Sequence, residues 1–160
     1  MVYVIRPIMK EDNKQVASII RKVMPEFGAS GPGFAIHDKE VDDIFSYYHH
    51  TRAAYFVCDR KSTIVGGGGV APLEGGDPRI CELKKMYFLP SDRGKGLGQR
   101  VLDECLQAAR KIGFEYCYLE TFNTMKSAMK LYEKNGFKRI PGPLGNTGHF
   151  ACDIFYKKAL

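Results

Sequence analysis

The chain has 160 residues, 44% of them hydrophobic and 26% charged, which predicts one globular domain over residues 1–160 with a single sizeable core. No apolar run approaches the ~20 residues that span a bilayer and no signal-peptide pattern is present, so we expect no membrane association. The net charge is +6, but the basic residues are dispersed and no nucleic-acid-binding motif accompanies them, so we also expect no nucleic-acid partner.

The first half of the chain predicts strands and helices in alternation. Residues 2–6 alternate as in a strand, and residues 10–24 carry apolar side chains at the spacing of one helical face. A glycine-rich loop (26–33) and a second helix (38–50) follow. Residues 53–58 and 63–70 predict a strand pair joined by a hairpin turn. The four glycines at 66–69 predict a bulge, or a face that another group approaches closely.

The second half predicts a β-α-β-α-β-β order. Residues 80–89 form the central strand, and a helix over 97–112 follows, with Gly113 as its stop. A strand (115–121), a short helix (125–135) and two closing strands (137–140 and 149–157) complete the chain. This order predicts a mixed α/β sheet with helices on both faces.

The turn between the central strand and the helix at 97–112 predicts a phosphate-binding site. Pro90 ends the apolar strand, and the basic, glycine-rich sequence RGKGLG (93–98) opens the helix without interruption. Glycines allow close approach of a ligand to the backbone, and the first turn of a helix offers unpaired N–H groups. Arg93 and Lys95 add positive charge there. The alternative is a flexible start of a helix that binds nothing.

Two better-known glycine loops do not fit this turn. A P-loop needs its lysine after the last glycine, and a dinucleotide fingerprint needs G-x-G-x-x-G. The spacing that fits is R-x-x-G-x-G, filled by Arg93, Gly96 and Gly98, and with the preceding strand it resembles the acetyl-CoA pyrophosphate loop of GNAT-type N-acetyltransferases. Residues 124–140 resemble the second signature of that family, A-x-x-L-Y-E-K-x-G-F, in the family's order and separation.

The resemblance implies the GNAT-like fold, a mixed and mostly antiparallel central sheet of about seven strands with helices on both faces. It also implies acetyl-CoA (coenzyme A) as cofactor. The residues expected to bind the cofactor are Met86, Tyr87, Phe88, Arg93, Gly94, Lys95, Gly96, Leu97, Gly98, Gln99, Asn123 and Tyr132. One position departs from the family: Met125 stands where many members have an asparagine that binds the pantetheine arm. Asn123, two residues earlier, is a candidate to replace that asparagine, although it does not occupy the family's position.

The same resemblance suggests two catalytic residues. Glu82 precedes Arg93 by the separation at which some members place a strand glutamate as base, and burial would raise its pKa toward a useful value. The alternatives are an ion pair with Lys84 or Lys85, a surface carboxylate, or an ordered water as base, with Glu120 in reserve. Tyr132 occupies the place of the family's acid for the coenzyme sulfur; the alternative is a core aromatic.

Two polar segments are expected to line the acceptor side, as they tend to do in this fold. They contain Phe34 and His37 in one and His149 in the other, and Glu120 lies on the neighbouring strand. His149 is a candidate to contact an acceptor carboxylate or to shuttle a proton, and a structural or exposed histidine is the alternative.

The cysteines and histidines predict no metal and no disulfide. The cysteines are scattered and odd in number, and none belongs to a C-x-x-C pair; they are Cys58, Cys81, Cys105, Cys117 and Cys152. Free thiols in a reducing cytoplasm are the simplest explanation. An acetyl-enzyme on Cys81 or Cys117 is not expected, because neither has a neighbouring histidine. The pair His49–His50 lacks an acidic partner at metal-ligand spacing.

The sequence therefore predicts a cytoplasmic, acetyl-CoA-dependent N-acetyltransferase. We expect direct transfer to a primary amine of a small molecule through a ternary complex. The alternatives are an acyl-CoA sensor with little activity and a protein or peptide N-acetyltransferase. A homodimer is compatible with the sequence, although nothing in it specifies one.

Overall fold

A computed structural model describes residues 2–160 and shows a seven-stranded sheet. Its strands are β1 (Val4–Pro7), β2 (Ala54–Arg60), β3 (Thr63–Pro72), β4 (Ile80–Phe88), β5 (Tyr116–Thr121), β6 (Lys138–Ile140) and β7 (Ile154–Ala159). They are arranged in the order β1-β2-β3-β4-β5-β7-β6, and only the β4–β5 pair is parallel. The predicted mixed, mostly antiparallel fold class is confirmed.

Within residues 2–160, four α-helices cover the sheet: α1 (Asn13–Glu26), α2 (Ile44–Tyr48), α3 (Leu97–Ile112) and α4 (Lys126–Lys134). Buried side chains of α1 and α2 belong to one core cluster, with Val57 and Ile64 of the sheet. Those of α4 and all of those of α3 except Leu97 belong to another, with Leu83 and Leu119. The predicted helix over 97–112 is confirmed, and Gly113 ends it at φ +105°. No helix within residues 2–160 is long and apolar enough to cross a membrane.

Most predicted boundaries differ from the structure by one to three residues, and two predicted elements differ more. Residues 38–50 do not form one helix: Lys39–Asp42 is a 3-10 turn, and α2 contains only five residues. Asp43 breaks the helix because its side chain caps Ser46 N, at 3.2 Å, and accepts a hydrogen bond from Asn13. The last strand begins at Ile154 rather than at residue 149, because residues 149–153 turn back to bond other segments, as described below.

The glycine run in β3 shows both of the features that it predicts. A Cβ atom built on Gly66 would lie 2.1 Å from the Phe88 ring, and one on Gly68 would lie 2.9 Å from Met86. The pairing of β3 with β4 also shifts between Gly67 and Gly69, because two residues of β4 oppose one of β3 there. Lys85, in this bulge, has φ +57°.

The strands β4 and β5 separate after a short parallel ladder. They pair only from Ile80 opposite Tyr116 to Glu82 opposite Tyr118, whereas β4 continues to Phe88 and β5 to Thr121. Beyond Glu82 the two strands therefore enclose a space at the centre of the sheet, and α3 begins just after β4 ends.

Candidate active site

The amino end of α3 forms an uncapped, glycine-lined concavity. Gly94 and Gly96 have φ +74° and +75°, and a Cβ atom at either position would meet nothing within 4 Å. Gly96 is the N-cap, and within residues 2–160 no side chain caps this helix end. The N–H groups of the first turn (97–99) consequently face open space. These features fit the diphosphate of coenzyme A.

The basic residues of this turn have protein partners. Arg93 donates from Nε to the Phe88 carbonyl at 3.0 Å and from its terminal nitrogens to Glu26. Lys95 donates to the Ser91 carbonyl at 3.0 Å. Both side chains therefore hold the turn against its neighbours, while their charges remain near the concavity.

A cavity occupies the space between the separated strands. Its lining consists of Met24, Ala35, Glu82, Leu83, Lys84, Lys85, Met86, Tyr87, Leu119, Glu120, Thr121, Phe122, Met125, Tyr132, His149 and Cys152. Glu82 and Tyr132 thus lie in the wall of one cavity. Met125 also lines it, whereas Asn123 is exposed and lies outside the lining, so the substitute that we expected for the family's asparagine does not reach this space.

Glu82 is buried and unpaired. It is 3% exposed, and within residues 2–160 its carboxyl group makes no side-chain hydrogen bond or ion pair. Burial, helped by the negative charge of Glu120, raises the pKa of Glu82 to about 7, although nearby positive charges oppose the shift. A carboxyl group with this pKa exchanges its proton readily at neutral pH.

Lys84 and Lys85 pair with other carboxylates, so the expected alternative of an ion pair with Glu82 is wrong. Lys84 Nζ lies 3.2 Å from Glu40 Oε1, and Lys85 Nζ lies 3.1 Å from the same oxygen and 2.6 Å from Asp38 Oδ2. The Lys85 side chain is fully buried. Coulombic attraction from these lysines nevertheless reaches Glu82 and limits the rise of its pKa.

His149, which lines the cavity, connects the segment of Asp38 to Glu120 of β5. Its Nε2 lies 2.7 Å from Asp38 Oδ2, and its Nδ1 lies 3.4 Å from Glu120 Oε1. Burial lowers the pKa of His149, but the bonds to Asp38 and Glu120 outweigh this and raise it to about 9. The imidazole is therefore a cation at neutral pH, bound on both sides by carboxylates.

Unlike Glu82, Glu120 has hydrogen-bond partners for both of its carboxylate oxygens. Its oxygens accept hydrogen bonds from Tyr118 and Thr147, each at 2.6 Å. Burial tends to raise the pKa of Glu120, but the bonds from His149, Thr147 and Tyr118 lower it below its usual value. The reserve candidate base is thus held as a carboxylate that supports its neighbours.

Backbone contacts reinforce the connection made by His149. Ala151 N donates to the Gly33 carbonyl at 3.2 Å, and Asp153 N donates to the Thr121 carbonyl. The ring of Phe150 covers Gly33 while remaining 79% exposed.

Phe34 and His37, the other predicted acceptor-side residues, are not part of the cavity lining. Phe34 packs edge-on against Phe122, with ring centroids 5.1 Å apart. His37 is exposed and bonds the Ser30 carbonyl through Nε2, at 2.8 Å. Gln99, predicted to bind the cofactor, bonds Asp103 and Asn135.

Sequence reasoning missed Asp38 and Glu40, which bind the cationic groups of this site. Asp38 ends one of the polar segments expected to line the acceptor side, and both residues lie within the predicted helix over 38–50, but no role is predicted for either side chain. The available signal was the adjacent pair Lys84–Lys85 in an otherwise apolar strand, since buried cations require carboxylate partners.

Ligand atoms of Glu82, Glu120 and His149 lie within 4.8 Å of one another, a spacing that a metal ion also uses. Both ring nitrogens of His149 already lie against carboxylates, however, and its raised pKa indicates the protonated ring, which cannot ligate a metal. The group fits proton transfer better than metal binding.

Comparison with known proteins identifies the family. The model of the acetyltransferase (GNAT) family matches residues 16–137. The uncharacterized N-acetyltransferase YjgM of Escherichia coli (strain K12) is 42% identical over 152 residues, covering 94% of this chain and 91% of that protein.

Solved structures show the same fold. A GNAT-family acetyltransferase from Staphylococcus aureus Mu50 superposes with a TM-score of 0.85 at 21% identity, covering 99% of both chains. The yncA protein of Salmonella typhimurium, solved with its cofactor acetyl-CoA, superposes with a TM-score of 0.76 at 18% identity, covering 100% of this chain and 95% of that one. These findings agree with the predicted family, fold and cofactor, and the chain belongs to the GNAT family of N-acetyltransferases.

Proposed function

We propose that this protein transfers an acetyl group from acetyl-CoA to a primary amine of a small molecule, directly and within a ternary complex. The observation that carries the proposal is Glu82, a buried and unpaired carboxyl group in the cavity wall whose pKa is raised to about 7. Such a group accepts a proton from an incoming ammonium more readily than an ordinary glutamate does.

The cofactor would be held by the amino end of α3 and by the edge of β4. First-turn N–H groups and the open glycines at 94 and 96 suit its diphosphate, and the cavity between β4 and β5 suits its arm. Bound acetyl-CoA supplies an activated acetyl group as a thioester. Backbone N–H groups of β4 beyond Glu82 lie on an edge that β5 does not pair, where they can polarise the carbonyl group.

Glu82 and Tyr132 would move the two protons of the reaction. The ammonium gives one proton to the Glu82 carboxylate, and the neutral amine then forms a bond to the acetyl carbon while the carbon–sulfur bond breaks. The leaving thiolate takes a proton from the Tyr132 hydroxyl, and the second proton that the nitrogen loses as it becomes an amide returns to the Tyr132 oxygen. Glu82 then releases its proton to solvent. Tyr132 is 7% exposed and lines the same cavity, and burial raises its pKa well above the usual value, so it is protonated at neutral pH.

A covalent acetyl-enzyme has less support. Cys81 and Cys117 face each other in the β4–β5 ladder and are fully buried. The pKa of Cys117 is raised well above its usual value by a hydrogen bond with Cys81 and by burial, which disfavours the thiolate. All five cysteines are free thiols, in keeping with the proposed cytoplasmic location.

The decisive experiment combines calorimetric binding of acetyl-CoA with thiol release across a panel of amines, peptides included. Binding together with turnover on small amines supports the proposal. Binding without turnover on any acceptor would favour the sensor, and turnover confined to peptides would favour the peptide acetyltransferase. An absence of binding would overturn the assignment of the turn at 93–98.

A further inference from the structure

The cations that line the cavity are already paired. Among the described residues these are Lys84, Lys85 and His149. The two lysines bind Glu40 and Asp38, and the imidazolium lies between Asp38 and Glu120. The side chains of the three cations are at most 9% exposed, so each would lose its partner in a poorly solvated place if it turned to a ligand.

The anions of the same cluster exceed the cations by one. Asp38, Glu40 and Glu120 balance the three cations, and Glu82 remains without a partner. A cationic ligand beside Glu82 would therefore complete the charge balance. A ligand carboxylate in the same place would lie against the negative charge of Glu82 and would find no cation without a partner.

Two surfaces beside this cluster carry few unpaired positive charges. The mouth beside Glu120 and His149 is lined by residues 143–150, Cys152 and Phe155, a set without lysine or arginine. A groove on the other side of Asp38 adds two carboxylates, Asp43 and Glu74, to the already paired Asp38 and Glu40, against Lys39 and one histidine. This charge distribution attracts amines and repels anions.

We infer that the acceptor is an amine with no carboxylate next to its reacting nitrogen, such as a decarboxylated amino acid, rather than an amino acid itself. The inference rests on the proposed function and narrows it. The cluster around Glu82 accommodates one additional positive charge and offers an α-carboxylate no partner.

Matched acceptors test this on the wild-type protein. Tyramine, tyrosine amide and tyrosine differ chiefly at the carboxylate, as do phenethylamine, phenylalanine amide and phenylalanine. We expect kcat/KM for the amine and for the amide to exceed that for the amino acid at least tenfold in whichever series is used. Equal or better use of the amino acids would overturn the inference while leaving the proposed function intact. No turnover on any member, or on a wider amine panel, would overturn the proposed function and the inference with it.

Glu40→Gln gives a second and independent test. It removes the charge that binds Lys84 Nζ, so a cavity-lining cation becomes available to a substrate carboxylate. We expect the preference for amine over amino acid to fall at least tenfold. Asp42→Asn, which breaks an exposed pair with Arg21, is the matched control and should leave the preference unchanged. If Glu40→Gln lowers kcat/KM for the amine and for the amino acid equally, so that their ratio is unchanged, the role of the paired lysines is contradicted. If that variant does not fold, the comparison of acceptors on the wild-type protein decides.

Discussion

The ammonium groups of Lys84 and Lys85 lie 3.2 Å and 3.1 Å from the same oxygen, Oε1 of Glu40. Adjacent residues of a regular strand point to opposite faces of the sheet. Here the bulge in β4, with φ +57° at Lys85, places both side chains on the side of the 3-10 turn that carries Glu40. The bulge thus connects the central strand to the loop that borders the acceptor side.

Replacing Lys85 with alanine should destabilise the protein by up to about 3 kcal/mol, because Asp38 and Glu40 each lose one of their two cationic partners and keep only His149 and Lys84. Urea unfolding at pH 7 measures the change. Lys39→Ala removes an exposed lysine of the same segment and should have an effect near zero. A loss for Lys85→Ala no larger than that of this control would contradict the importance of the pair.

Glu82→Gln should lower turnover by about 100-fold or more, because glutamine cannot accept the proton of the ammonium. Affinity for acetyl-CoA should stay close to that of the wild type. The wild-type rate should rise with pH through about 7 as the carboxyl group ionises, and this step should vanish in the variant. An unchanged pH profile would instead indicate an ordered water as base.

The same substitution should increase stability at alkaline pH. The pKa of Glu82 is about 7 in the folded protein and ordinarily 4.5, so the neutral form is favoured on folding. Its contribution is fully present below pH 4.5 and is lost as the pH rises through 7. The free energy of unfolding of Glu82→Gln should therefore exceed that of the wild type by up to roughly 3 kcal/mol at pH 8. Near pH 4.5 the two free energies should be equal. Unfolding curves at the two pH values provide the measurement.

Tyr132→Phe should lower turnover at least tenfold and leave acetyl-CoA affinity nearly intact, because only the proton for the leaving sulfur is lost. Tyr156→Phe is the matched control: this buried tyrosine packs against Tyr132, but its hydroxyl donates to Glu133. Steady-state kinetics measures the turnover of the two variants, and calorimetry measures their affinity for acetyl-CoA. Equal rates in Tyr132→Phe and wild type would exclude Tyr132 as the acid.

Gly96→Ala should weaken acetyl-CoA binding at least tenfold, because a side chain at φ +75° distorts the turn and projects into the concavity. Gly113→Ala tests the strain alone. It lies at the other end of α3, also with positive φ and open space, and should leave affinity unchanged. Equal affinities in both variants would contradict the placement of the diphosphate.

His149→Asn should destabilise the protein at pH 6 by about 2 kcal/mol or more. The pKa of His149 is about 9 in the folded protein and ordinarily 6.5, so its contribution is fully present below pH 6.5 and is lost as the pH rises through 9. The difference from wild type should consequently shrink at pH 10. His37→Asn, at an exposed histidine, is the control and should change the free energy of unfolding at pH 6 far less than His149→Asn does.

The sequence predicted the sheet, the helix at 97–112 and the glycine turn, because each depends on local periodicity or backbone freedom. It also singled out Glu82 and Tyr132, which the fold brings to one cavity. Asp38 forms ion pairs with Lys85, which lies 47 positions further along the chain, and with His149, which lies 111 positions further along. No local sequence pattern encodes such distant pairs. The short α2 was missed for a similar reason, since Asn13 and Asp43 meet only in the folded chain.

The four consecutive glycines of β3 leave almost no side-chain volume between this strand and its neighbours. The ring of Phe88 and the side chains of Met86 and Tyr55 occupy the positions that methyl groups at residues 66–69 would need. Substitution of any of the four by a larger residue would therefore displace groups of β4 or β2. A complete substitution scan should therefore find that residues 66–69 tolerate no replacement, although this segment supplies no reacting atom. The loss of activity would arise because a side chain there displaces the central strand β4, which carries Glu82.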